Sequence, residues 1–332
     1  MSKFFKNKTI LITGATGSFG RAFVNYILKN HSNIKKLIIF SRDELKQFLM
    51  HNDINKTKLD KVRFFLGDIR DKERLDKAFE NVDIVVHAAA LKQVPAAEYN
   101  PFEFVKTNIL GSQNIVDAAL RNNVNNVLAL STDKAVAPIN LYGATKLCAE
   151  KLFISANNIS GNKDIKFSVV RYGNVFGSRG SVFPFFENLK KNENFPITDL
   201  EMTRFNMSLP ESVTFVSWAL SNNIGGEIFV PKLPSYKIVD LAKAIDPKKK
   251  IKIIGIRPGE KIHEELISDS ELPYTYDLGK YYAIFNNPPK KIDKKLKKLR
   301  LKKIKLKEYT SGHNSNFLNV SELKKVISEY EE

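Results

Sequence analysis

The stretch "TILITGATGSFGRAFVNYILKN", residues 9–30, decides the reading of the chain. Thr9–Ala15 is an apolar run of strand length. A glycine-rich turn follows, and then apolar residues recur at helical spacing from Phe19 to Asn30. Gly14, Gly17 and Gly20 stand three apart in the turn. Glycines there let the backbone turn tightly and approach a pyrophosphate, which sits at the positive end of the following helix. Glycine spacing alone is a weak signal. Its place between a strand and a helix makes it a strong one for dinucleotide binding. The cofactor contacts expected here are Gly14, Thr16, Gly17, Ser18, Phe19 and Gly20.

The rest of the first half repeats the alternation. "KKLIIFSR", "KVRFFLGDIRD", "VDIVVHAAA", "NNVLALST" and "IKFSVVRYGNVFG" read as strands two to six. Helical stretches such as "DKERLDKAFE" and "TNILGSQNIVDAALRNN" lie between them. Apolar strands alternating with helices imply a doubly wound, Rossmann-like parallel sheet covered on both faces. After about residue 178 the alternation weakens. The expected division is a nucleotide-binding domain over 1–178 and a smaller α/β substrate-binding part over 179–332. The helices "ESVTFVSWALSN" and "KIVDLAKAI" belong to that later half, and the segment at about 208–240 is expected to fold back onto the first domain.

Strand two ends in "FSRDELK". An acid at that point would accept hydrogen bonds from the ribose 2′-hydroxyl of NAD. Ser41 and Arg42 come first here, with Lys46 one turn on, and a cation with a hydroxyl suits the 2′-phosphate of NADP. NADP is therefore the expected cofactor. Asp43 would read the ribose instead if the strand ended one residue later. Asp68 and Ile69 after strand three are assigned to the adenine. Ala88, Ala89 and Ala90 after strand four let a nicotinamide nucleotide lie against the backbone.

Bulk properties exclude several classes. The chain has 332 residues, 43% of them hydrophobic, which excludes a disordered protein. Its one cysteine, Cys148, excludes an intrachain disulfide framework. No apolar run approaches the roughly 20 residues that span a bilayer, and the start carries no signal-peptide pattern. A cytoplasmic location and no membrane association are expected. The net charge of +17 raises nucleic acid as a partner, and much of it lies in "KKIDKKLKKLRLKKIKLKEY" at 290–309. The residues between those bases, Ile292, Leu296, Leu299, Ile304 and Leu306, read as a core-facing set with solvated lysines, so no nucleic-acid role is expected. The five histidines show no ligand spacing, and no metal is expected.

The reactive candidates lie in "LSTDKAVAPINLYGATK", residues 130–146. Tyr142 and Lys146 are four apart and share a helix face. An ammonium beside a phenol favours the phenolate and should lower its pKa. Such a phenol can exchange a proton with a substrate carbinol during hydride transfer. Lys146 can also bind the nicotinamide ribose, and Thr132 can hold the reacting hydroxyl. Asp133 and Lys134 exceed what a simple alcohol dehydrogenase needs. An added acid and base imply a second proton transfer, as in oxidation at one sugar carbon, proton loss from the next and expulsion of water beyond it. The bland alternative for the pair is a solvated turn.

"LITGATGSFG", "SRDELK", "AALKQVPAAEYNPFEFVKTNILGSQN", "STDKAVAPINLYGATK", "VRYGNVFGSRGSVFPFF" and "IIGIRPGEKIHEEL" together resemble the inverting UDP-N-acetylglucosamine 4,6-dehydratases. These are extended short-chain dehydrogenase/reductase enzymes, and the resemblance covers nearly the whole chain. Related retaining dehydratases carry T-D-E where this chain has Thr132-Asp133-Lys134, so the lysine points to the inverting branch. The resemblance implies UDP-N-acetylglucosamine as substrate and UDP-2-acetamido-2,6-dideoxy-β-L-arabino-hexos-4-ulose as product, feeding nonulosonic acid synthesis of the pseudaminic acid type. It also implies a homo-oligomer, with a hexamer as the specific form. Lys92 would lie near cofactor and sugar, and Asn174 near the sugar or its phosphates. Arg179, Arg204 and Arg257, with Glu260, would bind the substrate. The chain departs from the family's common pattern at Asn206 and Phe317, both aromatic tryptophan positions in many members. A sugar-nucleotide 4-epimerase, or a non-catalytic protein sensing NADP, are the other readings.

Overall fold

In the computed structural model, residues 3–178, 180–189, 194–285 and 302–331 are described. The first apolar run becomes β1 (Thr9–Thr13), wholly buried, and the glycine turn opens α1 (Ser18–Asn30). Then follow β2 (Lys36–Ser41), α2 (Glu44–Asp53), β3 (Val62–Leu66), α3 (Lys72–Phe79) and β4 (Ile84–His87). Short helices α4 (Val94–Tyr99) and α5 (Pro101–Phe104) lead through a π-helical turn, Val105–Leu110, into α6 (Gly111–Arg121). The unit closes with β5 (Asn126–Thr132), α7 (Leu141–Ile159) and β6 (Lys166–Tyr172). Several strands are shorter than their apolar reading, β4 among them, which spans Ile84–His87 of "VDIVVHAAA". The third stops at Leu66 and the sixth at Tyr172, because "GDIRD" and "GNVFG" turn away at their glycines. The helix read from Thr107 begins with the π-helical turn instead of a regular one.

These strands form a Rossmann-like parallel sheet in the order β3-β2-β1-β4-β5-β6. The order reverses between β1 and β4, where Thr13 is in register with His87. In such sheets ligands bind outside the carboxyl ends at that reversal. The segment after β6 supplies α8 (Val182–Leu189), β7 (Phe195–Ile197), β8 (Thr203–Phe205) and α9 (Leu209–Asn222). Ser208 caps α9, and the Glu211 side chain returns a hydrogen bond to it. This helix packs on α1, and β9 (Ile228–Pro231) adds to the sheet parallel to β6.

The later elements are short. They are β10 (Ser235–Lys237), α10 (Ile238–Ile245), β11 (Ile251–Ile253), β12 (Glu265–Ile267), β13 (Thr275–Asp277), β14 (Tyr281–Ile284), β15 (Lys302–Lys303), β16 (Tyr309–Thr310) and α11 (Val320–Glu331). β14, β13 and β15 extend the sheet antiparallel beyond β9. The other strands pair in twos, β8 with β10, β7 with β11, and β12 with β16. Three buried apolar clusters result among the described residues, the smallest of them Ala97 and Phe104 against Tyr142 of α7. The large one fills both faces of the sheet. A smaller one gathers Phe176, Phe183, Phe186, Phe195, Tyr236 and Leu241 with Leu323 of α11. In the basic stretch, Ile304 packs on the large core, but Leu306 is 40% exposed and does not face inward. Ile292, Leu296 and Leu299 lie outside the described residues. No described helix is long and apolar enough to cross a membrane.

One buried cation ties these parts together. Arg171, near the end of β6, is almost wholly inaccessible. Its guanidinium donates to both oxygens of Glu150 on α7, at 3.0 and 2.6 Å, and to both oxygens of Glu271, at 2.9 Å each. It also donates to the Leu266 carbonyl in β12, at 3.0 Å. Burial alone would push the Glu271 carboxyl up, but the Arg171 hydrogen bonds and charge hold it below its ordinary value. The Arg171→Met variant should lose about 3–5 kcal/mol of unfolding free energy at neutral pH, since two carboxylates are left buried without a cation. The contribution of a carboxyl held low is present above its ordinary pKa and lost as pH falls. The deficit should therefore narrow in acid, as measured by urea melts at neutral and mildly acidic pH.

Candidate active site

The cofactor end of the site is built by the first turn. Gly14 has φ +65°, and an added Cβ there would lie 2.8 Å from the Ala89 amide nitrogen. A Cβ on Gly20 would lie 2.5 Å from Ala15 backbone atoms. The backbone therefore passes closer than any side chain allows. Gly17 precedes α1 without a side-chain cap, so the first amides of the helix are open toward an anion. His87, buried, hydrogen-bonds the Thr13 hydroxyl at 2.8 Å, and Thr13 Oγ1 accepts from the Ala88 and Ala89 amides at 3.2 Å each. That pins the loop after β4 against the glycine turn. The backbone fits a dinucleotide pyrophosphate.

A cleft of about 1030 Å³ opens at the carboxyl ends of the strands. Gly14, Thr16, Gly17, Ser18, Phe19 and Gly20 line one end. Ser41, Arg42, Lys46, Asp68, Ile69 and Ala88–Ala90 continue that wall. Lys92, Thr132, Lys134, Tyr142, Lys146 and Asn174 line the middle, and Arg204, Arg257 and Glu260 the far side. Asp133 lies behind the wall, fully buried. Arg179 lies outside the described residues. Asp43 does not extend β2. It caps α2, accepting from the Lys46 amide at 2.9 Å and from Lys46 Nζ at 2.5 Å. Lys46 is thus engaged by Asp43, while Arg42, more than half exposed, stands 3.7 Å from Asp68. Arg204 is buried and donates to the Thr203 and Ile262 carbonyls at 2.7 and 3.1 Å.

The reactive end forms where β5 stops. Thr132 Oγ1 donates to Asp133 Oδ1 at 2.8 Å. Asn140 caps α7 by accepting from the Gly143 amide at 2.8 Å. Gly143 allows α7 to press on the preceding turn, since a Cβ there would lie 2.1 Å from the Lys134 carbonyl oxygen. Lys134 Nζ lies 3.1 Å from Asp133 Oδ1, 3.1 Å from Glu264 Oε1 and 3.4 Å from Asn174 Oδ1. Asp133–Lys134 is therefore not a solvated turn. Burial opposes the lysine's charge, but the two carboxylates hold its pKa above the ordinary range. Burial, together with the Glu264 charge and against the Lys134 ammonium, raises Asp133.

Tyr142 corrects an expectation. Its phenol is not lowered. Burial pushes it up to about 12, with the Lys134 ammonium only partly opposing. Lys146 Nζ instead donates to the Leu130 carbonyl at 2.7 Å, and burial lowers it to about 8 despite Glu150. Burial likewise lowers Lys92, with the Lys134 charge adding to the effect.

Glu264 was missed by the reading of the sequence. It is 2% exposed, lines the cleft and lies 3.6 Å from Arg204 Nε. "EKIHEEL" shows three glutamates, of which the resemblance singled out only Glu260. The only signal was its place between apolar Ile262 and Leu266, which suggests burial. The apolar walls Phe185 and Ile254 were also missed.

Such a fold and site define an extended short-chain dehydrogenase/reductase. A profile of the family described as "Polysaccharide biosynthesis protein" matches residues 10–286, and the chain belongs to that family. The chain is 50% identical to the UDP-N-acetylglucosamine 4,6-dehydratase (inverting) of Campylobacter jejuni subsp. jejuni serotype O:23/36 (strain 81-176), over 98% of this chain and 99% of that one. It is also 45% identical to the UDP-glucose 4-epimerase of Rickettsia bellii (strain OSU 85-389), over 97% and 96%. The X-ray structure of Pen from Bacillus thuringiensis is similar with TM-score 0.89 and 38% identity, over 98% of each chain.

The Lys146 shift has a stability consequence. Folded Lys146 releases its proton at about 8 and the unfolded lysine at 10.5. Between those values the unfolded chain binds more protons, so rising pH favours the folded state. Urea melts of wild type and Lys146→Met across this range should show the gap moving in favour of wild type as pH rises. A pH-independent gap would mean Lys146 titrates normally.

Proposed function

We propose that this protein is an NADP-dependent UDP-N-acetylglucosamine 4,6-dehydratase that inverts the configuration at C5. The observation that carries the reading is the contact between Asp133 and Lys134, 3.1 Å apart at the wall of the cleft that Tyr142 also lines. The identity with the Campylobacter jejuni enzyme supports the same substrate. The epimerase reading rests on the Rickettsia relatives, but epimerisation at C4 needs no water loss and leaves this buried acid and base without a task.

The glycine turn would hold the cofactor's pyrophosphate, Arg42 and Ser41 its 2′-phosphate, and Lys146 its nicotinamide ribose. When bound, NADP supplies hydride removal at C4 and hydride return at C6. Thr132 and Tyr142 hold the C4 hydroxyl, and Tyr142, as the phenolate that the bound cofactor's positive charge would favour against burial, takes its proton. Once C4 is a ketone, the hydrogen on C5 is acidic. Lys134, as the free amine, removes that proton, and the C5–H electrons form a C5–C6 double bond. The C6–O bond breaks, and Asp133 gives its proton to the departing hydroxyl, which leaves as water. The proton that Tyr142 took, exchangeable with solvent, then goes to C5 on the opposite face. Arg257 and Glu260, which line the cleft and pair with each other at 2.8 Å, would bind the sugar nucleotide.

Incubation with UDP-N-acetylglucosamine in deuterated water should give a 4-keto-6-deoxy product carrying deuterium at C5, followed by NMR. NADPH should not build up in proportion to product; stoichiometric build-up would make the protein a net dehydrogenase. Lys134→Ala should keep nucleotide binding and lose water elimination by about 100-fold or more. A near-normal rate in that variant would remove Lys134 from the chemistry.

Binding titrations should favour NADP over NAD, and Arg42→Ala should narrow the difference by about 10-fold, the scale of one charge-assisted phosphate contact. Tighter NAD binding by the unaltered protein would reverse the cofactor assignment.

A further inference from the structure

The proposed elimination places a demand on protonation that two residues cannot meet together. Lys134 must be a neutral amine at the moment Asp133 still carries its proton. Between two groups in contact, sharing one proton, that arrangement competes with the carboxylate–ammonium pair, and direct contact favours the charged pair. The structure adds a third group. Glu264, on the segment leading into β12, reaches Lys134 Nζ from the other side at the same 3.1 Å as Asp133. Both carboxyls are buried, and each has one oxygen, Asp133 Oδ2 and Glu264 Oε2, without a hydrogen-bond partner. An unpartnered, buried carboxylate oxygen is costly, and a proton on it removes the charge.

Building on the dehydratase reading, we propose that Glu264 is the proton-holding partner of Lys134, a residue that takes the ammonium proton so that Lys134 acts as a base while Asp133 remains an acid. The cluster of Asp133, Lys134 and Glu264 holds two protons. At rest they lie on Asp133 and Lys134, with Glu264 ionised. Transfer from Nζ to Glu264 Oε1 leaves both carboxyls protonated and the amine free. Elimination moves the C5 proton to Nζ and the Asp133 proton to the leaving hydroxyl. The count is unchanged, with an ammonium, an Asp133 carboxylate and a protonated Glu264. Passing one proton from Nζ to Asp133 Oδ1, and the Glu264 proton back to Nζ, restores the resting arrangement.

The surroundings suit an acceptor that is open at rest. Burial pushes Glu264 up, but the charges of Lys134 and Arg204 bring it below its ordinary value, and Lys261 adds to this. Arg204 in turn faces Glu260 at 3.7 Å. Lys92 faces Lys134, and Tyr142 and Tyr236 both feel the Asp133–Lys134 pair. Every other described charged group around the cluster is thus either a cation favouring ionised Glu264 or an anion already paired.

The test compares wild type with Glu264→Gln, each loaded with NADP, on UDP-N-acetylglucosamine in deuterated water. Bound NADPH in a single turnover reads oxidation at C4, and deuterium entry at C5 reads the base. Glutamine keeps the shape and cannot take the proton. C4 oxidation should stay within about threefold of wild type while deuterium entry at C5 falls by about 100-fold or more. In Glu264→Ala, added formate should restore C5 exchange in proportion to its concentration, and chloride should not. Deuterium entry within about threefold of wild type in Glu264→Gln overturns the proposal. So does an equal loss of both steps, which marks a structural role. Should Glu264→Gln fail to fold, Glu264→Ala with formate decides, and failure of both to fold also marks a structural role. Wild type that introduces no deuterium at C5 would instead defeat the dehydratase reading itself.

Discussion

The site depends on a guanidinium that never meets substrate. Arg171 binds α7, which carries Tyr142 and Lys146, to the segment around β12, which carries Glu264. It does so from the end of the strand next to β5, where Thr132 and Asp133 stand. A buried cation between two carboxylates contributes little net stability compared with an apolar trio, but it strongly penalises any arrangement in which one partner is displaced. Here that penalty fixes three pieces of chain relative to one another. Lys134 can then meet carboxylates from two sides because the elements bearing them cannot drift apart.

The same segments divide the labour of the cleft. The glycine turn at its cofactor end is built of backbone, with glycines where a Cβ would strike Ala89 or Ala15. Its reactive end is made of charged side chains taken out of water. Burial moves Tyr142 up, away from neutral pH, and Lys146 down, toward it. The Asp133–Lys134–Glu264 group differs, because each charge there has an opposite charge in contact. Proton exchange inside that group requires no exchange with solvent.

Most of the fold was legible because it is periodic. Apolar strands and amphipathic helices alternate through residue 172, and the glycine turn sits where its φ and close contacts require it. The boundaries at Leu66 and Tyr172 were not legible, since isolated apolar residues, Ile69 after the one and Val175 and Phe176 after the other, carried the readings past the strand ends. The candidate site was legible where residues cluster in sequence, as in Thr132–Lys146. Asp43 was ambiguous because a capping acid and a ribose-binding acid look alike before the strand end is known. Glu264 was hidden, because a carboxylate brought to Lys134 across 130 positions of chain leaves no local pattern. The downward shift expected for Tyr142 failed for a related reason. Helical spacing placed Lys146 nearby, but it could not show that the ammonium points to the Leu130 carbonyl.

In the proposed cycle one substrate molecule is oxidised at C4 and reduced at C6 within the same visit to the cleft. That cycle is tested most directly with UDP-N-acetylglucosamine carrying deuterium at C4, turned over in ordinary water with unlabelled NADP. The label should be recovered at C6 of the 4-keto-6-deoxy product formed on the same molecule. Label lost to free NADPH, or recovered at C4 of a product that keeps its C6 hydroxyl, would contradict it.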